Sequence, residues 1–484
     1  MRNLRNGRCT LITLLLATAC EMGPDYRRPD ILMPDLSAKE EIAEFVAEKW
    51  WGVFADSTLN YLEELALKHN ADLKTAVANI AEVRAASEVS EAEHWPTVSL
   101  SGEGMAAFVS TRGKAYVPGG SKGRNSIGYA ASVPMIYEVD FFGKYSRGDE
   151  AARAVLLSTR AAKECVLLSV SAEVAKAYFL LRALEAKLAI ARRTLNTRQE
   201  SLRMYKSRFL NGYCTELDYL RIDSDMLSVK ATVANLESEL AKAETSLSLL
   251  IGTNPREMVQ RTTAKEKAIE KLRIPPAAPK GIPSDILMRR PDVLQAECQL
   301  IAANARIGEA RAAYFPTISL TGGFGFESNS LGQLFNTGSD GWSFGYGLHL
   351  PIFNAGRIAA MNAAVDARHK KMLTAYEKTI QMAFKETLDA LVANRKNREI
   401  VAARSRQVNA LKRGYQIAWK QKESGLIGLL DLLDVERGLL AAEMELTMAL
   451  QMQLNATVDL CKALGGGWNA LKMNKPPSKS KKAM

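Results

Sequence analysis

Two stretches of the chain alternate polar and apolar residues with a period of two. In the first, Val98, Leu100, Gly102, Gly104, Ala106 and Phe108 interleave with Thr97, Ser99, Ser101 and Glu103. The partner run places Ile127, Tyr129, Ala131, Val133, Met135, Tyr137 and Val139 opposite Ser126, Gly128, Ala130, Ser132 and Glu138. The second stretch repeats the design with Ile318, Leu320, Gly322, Phe324 and Phe326, then Trp342, Phe344, Tyr346, Leu348, Leu350 and Ile352. Period two predicts strands with one apolar and one polar face. Each run suffices to cross a bilayer when tilted, which takes about 9–11 residues. The apolar face is rich in aromatics and the other is small and polar, as in outer-membrane barrels. Two amphipathic hairpins on a soluble core are the alternative.

Between these stretches the period changes to three and four. Tyr219, Ile222, Met226, Val229, Val233, Leu236 and Leu240 form one seam; Leu432, Val435, Leu439, Ala442, Leu446 and Ala449 form another. Both read as coiled coil. The runs 144–211 and 357–424 contain no proline, and at 1.5 Å per residue each helix spans about 100 Å. Such helices suit a rod or a wall; a structural stalk would need them too, but would not need the strands.

The two halves are copies. "HWPTVSL" (94–100) and "YFPTISL" (314–320) stand 220 positions apart, as do "NADL" (70–73) and "RPDV" (290–293). "FFGK" (141–144) and "NAGR" (354–357), and "NGYCTELDYL" (211–220) and "SGLIGLLDLL" (424–433), stand 213 apart. The seven-residue difference lies between Pro96 and Gly143 and is expected in the loop 111–125, since loops accept insertions best. The reading is 1–19 an export signal, 20–57 an N-terminal segment, 58–252 repeat 1 with a hairpin at about 97–142, 253–283 a linker, 284–464 repeat 2 with a hairpin at about 317–353, and 465–484 a tail.

Four strands cannot close a barrel, because the smallest known have eight. Open edges in hydrocarbon leave backbone groups unpaired at several kcal/mol each. Copies must therefore combine. Two would give eight strands and a filled interior; three would give twelve and a lumen.

Composition adds less. The chain has 484 residues, 47% hydrophobic and 24% charged, with a formal charge of +11. No basic cluster is interleaved with aromatics, so nucleic acid is not an expected partner. Arg2, Arg5 and Arg8 precede the apolar run Leu11–Leu16 and "ATAC", the pattern of an export signal. "LATAC" (16–20) resembles a bacterial lipobox with Cys20 as the lipid-bearing residue, although Ala17 stands where Leu is favoured; an ordinary cleavage site is the alternative. Several acyl chains there would hold the N-terminus at a membrane. Cys165, Cys214, Cys298 and Cys461 have no metal or disulfide spacing, and His69, His94, His349 and His369 are isolated. "GGSKG" (119–123) lacks the strand-to-helix turn a nucleophile needs. Neither an enzyme, a metal site nor a cofactor is expected, apart from covalent lipid on Cys20.

The mature chain resembles the TolC-like outer membrane efflux proteins, in their NodT-like lipoprotein subgroup. The resemblance rests on "CEMGPDYRRP" (20–29), "WWGVFADSTLNYLEELALKHNADLKTA" (50–76), "IPSDILMRRPDVLQAECQLIAANARIGEARAAYFPTISL" (282–320), "LPIFNAGR" (350–357) and "ALGGGW" (463–468). It implies a mainly α fold with a transmembrane β-barrel: a homotrimer sharing a 12-stranded barrel and a long α-helical periplasmic tunnel. The chain would be the exit duct of a tripartite efflux pump. Its partners would be a periplasmic adaptor, an inner-membrane pump of the resistance-nodulation-division type, and outer-membrane lipid. A duct for type I protein secretion is the alternative.

The resemblance also implies a closed end at the periplasmic helix tips, where Gly212 and Gly425 turn the chain. Asp218, Asp431 and Asp434 would line the aperture. Like charges about 4 Å apart repel by about 1 kcal/mol in water and about 4 kcal/mol at an effective dielectric of 20, so such a ring would attract cations. Helix N-capping is the plainer role for these aspartates. The tyrosine–arginine latch of some relatives is replaced by Lys422 and Ile427; Lys422 is expected to pair with a neighbouring acid such as Asp218.

Overall fold

A computed structural model describes residues 21–30, 49–109, 124–253, 268–275 and 289–466. The export signal, Cys20, most of the loop 111–125, most of the linker 253–283 and the tail beyond 466 lie outside the described residues. Seven α-helices are described: α1 (Ser57–His69), α2 (Ala71–Ala92), α3 (Lys144–Leu210), α4 (Glu216–Ile251), α5 (Pro291–Ala312), α6 (Arg357–Glu423) and α7 (Leu429–Ala463). The strands are β1 (Thr97–Val98), β2 (Ser101–Val109), β3 (Arg124–Val139), β4 (Thr317–Ser328) and β5 (Asp340–His349). Two compact units result: 1–30, 81–158 and 296–376 in one; 31–80, 159–295 and 377–484 in the other.

The first unit contains one antiparallel sheet. β1 and β2 pair with β3, β3 with β4, and β4 with β5. The register carries the alternation across the sheet: Ala131 faces Gly102 and Phe326, Val133 faces Phe324, and Phe324 faces Trp342. A one-residue slip would invert every face, so the shared apolar row specifies this register. The row is left open, with Trp342 at 82% and Tyr346 at 81% exposure. On the other face Ser101 and Ser132 meet at 2.9 Å between hydroxyls, and Gly345 and Gly347 face Thr321 and Ser319.

One feature of the sheet departs from the sequence expectation. The first strand is interrupted at Ser99–Leu100. Ser99 donates its N–H to the Pro134 carbonyl at 3.1 Å, but Pro134 has no N–H to return. In an antiparallel ladder a residue's N–H and C=O face the same neighbour. The missing donor therefore faces β1 and β2, and β3 pairs with β4 without a break, Pro134 opposite Gly323. The extra length of the first half was expected in the loop. Thr97 faces Ile136 as Thr317 faces His349, so the offset changes from 220 to 213 at the far end of the hairpin, where the loop lies.

A strap formed by residues 21–30 lies in the same unit. Met22 donates to the Phe142 carbonyl (3.2 Å). Arg147, nearly buried, reaches Asp25 (2.8 Å), Glu150 (2.7 Å) and the Met22 carbonyl (3.2 Å). Arg28 grips both oxygens of Glu297 at 2.6 Å, a bidentate pairing that is stronger than a neutral hydrogen bond. The strap passes so close to α5 that a Cβ on Gly308 would lie 2.3 Å from the Met22 carbonyl oxygen.

The second unit holds the main core, in which Trp50, Phe54, Leu59, Tyr178, Phe179, Leu247 and Leu454 are buried. Here the repeat shows in the bonding. Asn70 accepts the first N–H groups of α2 (2.8 and 3.1 Å) and donates to the Leu250 carbonyl (2.8 Å). At the matching place Arg290 donates to the Ala463 carbonyl at 3.1 Å. Different side chains thus bind the matched last-turn carbonyls of α4 and α7, which would otherwise lack partners. Glu63 is fully buried with neither carboxylate oxygen hydrogen-bonded. Burial pushes its carboxyl up to about 9, with Ser171 pulling the other way, so it is neutral at pH 7.

Two outcomes follow. Gly308→Ala, which in a free helix would stabilise by about 1 kcal/mol, should instead unseat the strap; limited proteolysis should cut within 21–30 sooner, with helical circular dichroism unchanged. The folded-state pKa of Glu63 lies above its unfolded value, so the wild-type protein loses stability as pH rises from about 4.5 to 9. Glu63→Gln should lack that slope, and its thermal midpoint should gain on wild type between pH 5 and 8.5.

Candidate functional site at the helix tips

The turns that join α3 to α4 and α6 to α7 are built alike. Gly212 has φ 75° and Gly425 φ 74°, the left-handed region where a Cβ is costly. Tyr213 donates to the Arg208 carbonyl and Leu426 to the Gln421 carbonyl, both at 2.8 Å; Gly212 and Gly425 close the inner bonds to Phe209 and Lys422. Each is a Schellman ending. Below the first turn Tyr205, Ile222 and Leu433 form a small core with Leu202, Cys214 and Leu429 packed against it. That core joins α3 and α4 to the start of α7.

Asp218 and Asp431 cap helices. Thr215 and Asp218 form a reciprocal box: the Asp218 carboxylate accepts from the Thr215 N–H (3.3 Å) and hydroxyl (2.7 Å), and the Asp218 N–H donates to the Thr215 hydroxyl (3.2 Å). In the second half Gly428 stands at the position of Thr215. Only half the box forms there, with the Gly428 N–H donating to Asp431 at 2.9 Å. Asp431 and Asp434 are exposed, and Asp434 lies 3.6 Å from Arg437. Lys422 makes no ion pair among the described residues. The expected pairing with Asp218 is not formed within the chain, because that carboxylate is turned back on Thr215.

The structure also brings together a group that the sequence reading missed. Arg198 of α3 is 1% exposed and contacts Asp225 of α4 (2.8 Å) and Glu436 of α7 (2.5 Å). These contacts have ion-pair distance without hydrogen-bond geometry. Arg437 of α7 donates to the other oxygen of Asp225 at 2.7 Å. Burial raises the Glu436 carboxyl, and Arg198 opposes that rise. The Tyr415 phenol beside it is pushed up to about 12 by burial and by Glu436. One signal was available. Asp225 sits three after Ile222 and four before Val229, a seam slot; the seam reading took Met226 instead, but Asp225 is the buried residue.

No helix among the described residues is long and apolar enough to cross a membrane. The exposed apolar row of the sheet is the surface suited to that. No cluster of metal-ligating side chains occurs among the described residues.

Comparisons with known proteins agree with this architecture. The family described as outer membrane efflux protein matches residues 62–253 and 282–466. The cation efflux system protein CusC of Escherichia coli is 33% identical over 472 residues, covering 95% of this chain and 99% of CusC. The probable outer membrane lipoprotein SilC of Salmonella typhimurium is 32% identical over 464 residues, covering 94% and 97%. Among solved structures, the Campylobacter jejuni CmeC outer membrane channel superposes with a TM-score of 0.85 at 25% identity, covering 93% of this chain and 95% of that one.

Thr215→Ala should cost about 1 kcal/mol at the start of α4. Amide exchange at residues 216–219 should quicken severalfold, with the start of α7, which has only half a box, unaffected.

Proposed function

We propose that this chain, which belongs to the outer membrane efflux protein family, acts as one of three identical subunits of a shared conduit. The chain is the outer-membrane exit duct of an efflux system and has the TolC-like fold of barrel and helical tunnel. The observation that carries the trimer is the sheet. Its four antiparallel strand paths present one continuous apolar face, and both outer edges lack a partner strand among the described residues. In hydrocarbon such edges need further strands. Three copies supply twelve, enough for a lumen.

The remaining assignments extend this reading. A periplasmic adaptor and an inner-membrane pump, of the resistance-nodulation-division type, deliver small molecules to the duct; the pump sets the substrate. Cys20 carries the lipid, in keeping with the name of SilC. Residue 21 rests against Gly143, four residues beyond the end of β3, and this supports an anchor next to the membrane sheet. Asp218, Asp431 and Asp434 line the narrow end and favour cations there.

Purified protein in planar bilayers should form ion-conducting channels; a stable trimer that never conducts would overturn the duct. Asp218→Asn/Asp431→Asn/Asp434→Asn should move the reversal potential in a salt gradient towards zero, as cation preference is lost. An unchanged potential would remove these residues from the aperture.

A further inference from the structure

The group around Arg198 breaks the repeat. At the 213-residue offset Arg198 corresponds to Leu411, and Asp225 to Gly438. These partners also meet: a Cβ on Gly438 would lie 3.9 Å from Leu411 Cδ2. The same crossing of two helices is therefore apolar in one half and ionic in the other. Packing the helix pair does not require charge.

Nor does stability favour it. Buried ion pairs replaced by apolar residues of similar size often leave stability unchanged or raised, while removal of one partner alone is costly. What the ionic version adds is a connection. Leu411 and Gly438 join α6 to α7. Arg198 joins α3 both to α4 and, through Glu436, to α7. Asp225 then passes the link to Arg437, and Arg437 approaches Asp434 at 3.6 Å. Asp434 and Asp431 lie within the first two turns of α7, two to six residues before Glu436 and Arg437. Separation of α7 from the first hairpin would strand Arg198 against a single acid and leave Glu436 without its cation.

We propose that Arg198 is a positioning residue for the aperture: through Glu436, and through Asp225 and Arg437, it holds the start of α7 against the α3–α4 hairpin and so fixes where Asp431 and Asp434 stand. Asp434 lies beside Arg437 on the same helix. The restraint lies within one chain. The inference rests on the duct reading for its effect on conduction, but not for its effect on the helix.

The test uses the full-length trimer. Arg198→Leu alone leaves two buried acids and is a poor probe. Arg198→Leu/Asp225→Ala/Glu436→Gln removes the charges together and imitates the apolar crossing of the second half. It should assemble and melt as wild type does. Its single-channel conductance should rise severalfold, and amide exchange at residues 429–437 should quicken about tenfold. Arg198→Lys, which keeps one charge, should fall between the two. Wild-type conductance and wild-type exchange in the triple variant would overturn the proposal. Failure of that variant to assemble would also overturn it, because the group would then be a folding requirement. If neither protein conducts but exchange quickens, the duct reading fails and the restraint on α7 stands.

Discussion

The constraint on which this molecule depends is the hydrogen bonding of a sheet that has no water to turn to. A strand in hydrocarbon must give every N–H and C=O a protein partner. Within the chain β3 and β4 are paired on both sides, and the β1–β2 path and β5 are not. The chain is thus organised around a sheet that is finished only by other strands. The position of Pro134 obeys the same rule. Its absent donor faces the interrupted β1–β2 path, and the β3–β4 ladder that ties the two hairpins together is left whole.

Duplication supplies this arrangement, and the structure separates what both copies must keep from what either may change. The chain reversals at Gly212 and Gly425 are kept, since only a left-handed residue closes a Schellman ending without strain. The ties on the last carbonyls of α4 and α7 are kept as bonds but not as residues, Asn70 serving one and Arg290 the other. Two of the changes lie on the long helices or their caps. Thr215 faces Gly428 in the alignment of the halves, and the Arg198–Asp225 pair faces Leu411 and Gly438.

Much of this was legible because period is a local property. The four strand runs and their apolar faces follow from side chains that alternate about a pleat, and the register places those same residues opposite one another. The α3 and α6 helices end two residues before the expected glycines. The strand break was not expected, although Pro134 carries its cause, because its place depends on which neighbour the missing N–H faces, and that is a matter of pairing.

The charged residues mark the limit. From the sequence, Asp218 and Lys422 are an acid and a base at neighbouring turns, and Coulomb attraction makes them a natural pair. The structure turns Asp218 onto Thr215, three residues away, because a first-turn carboxylate finds unsatisfied N–H groups nearer than any cation. Arg198 is one of many arginines on a long helix until the packing of α3, α4 and α7 takes its side chain out of water and leaves Asp225 and Glu436 as its only counterions at short range. The sequence by itself determined the periods, the duplication, the turns and the need for further strands, since each depends on neighbours along the chain. Tertiary structure alone decided which charges are buried together, because that depends on which helix faces meet, and no spacing within one helix records it.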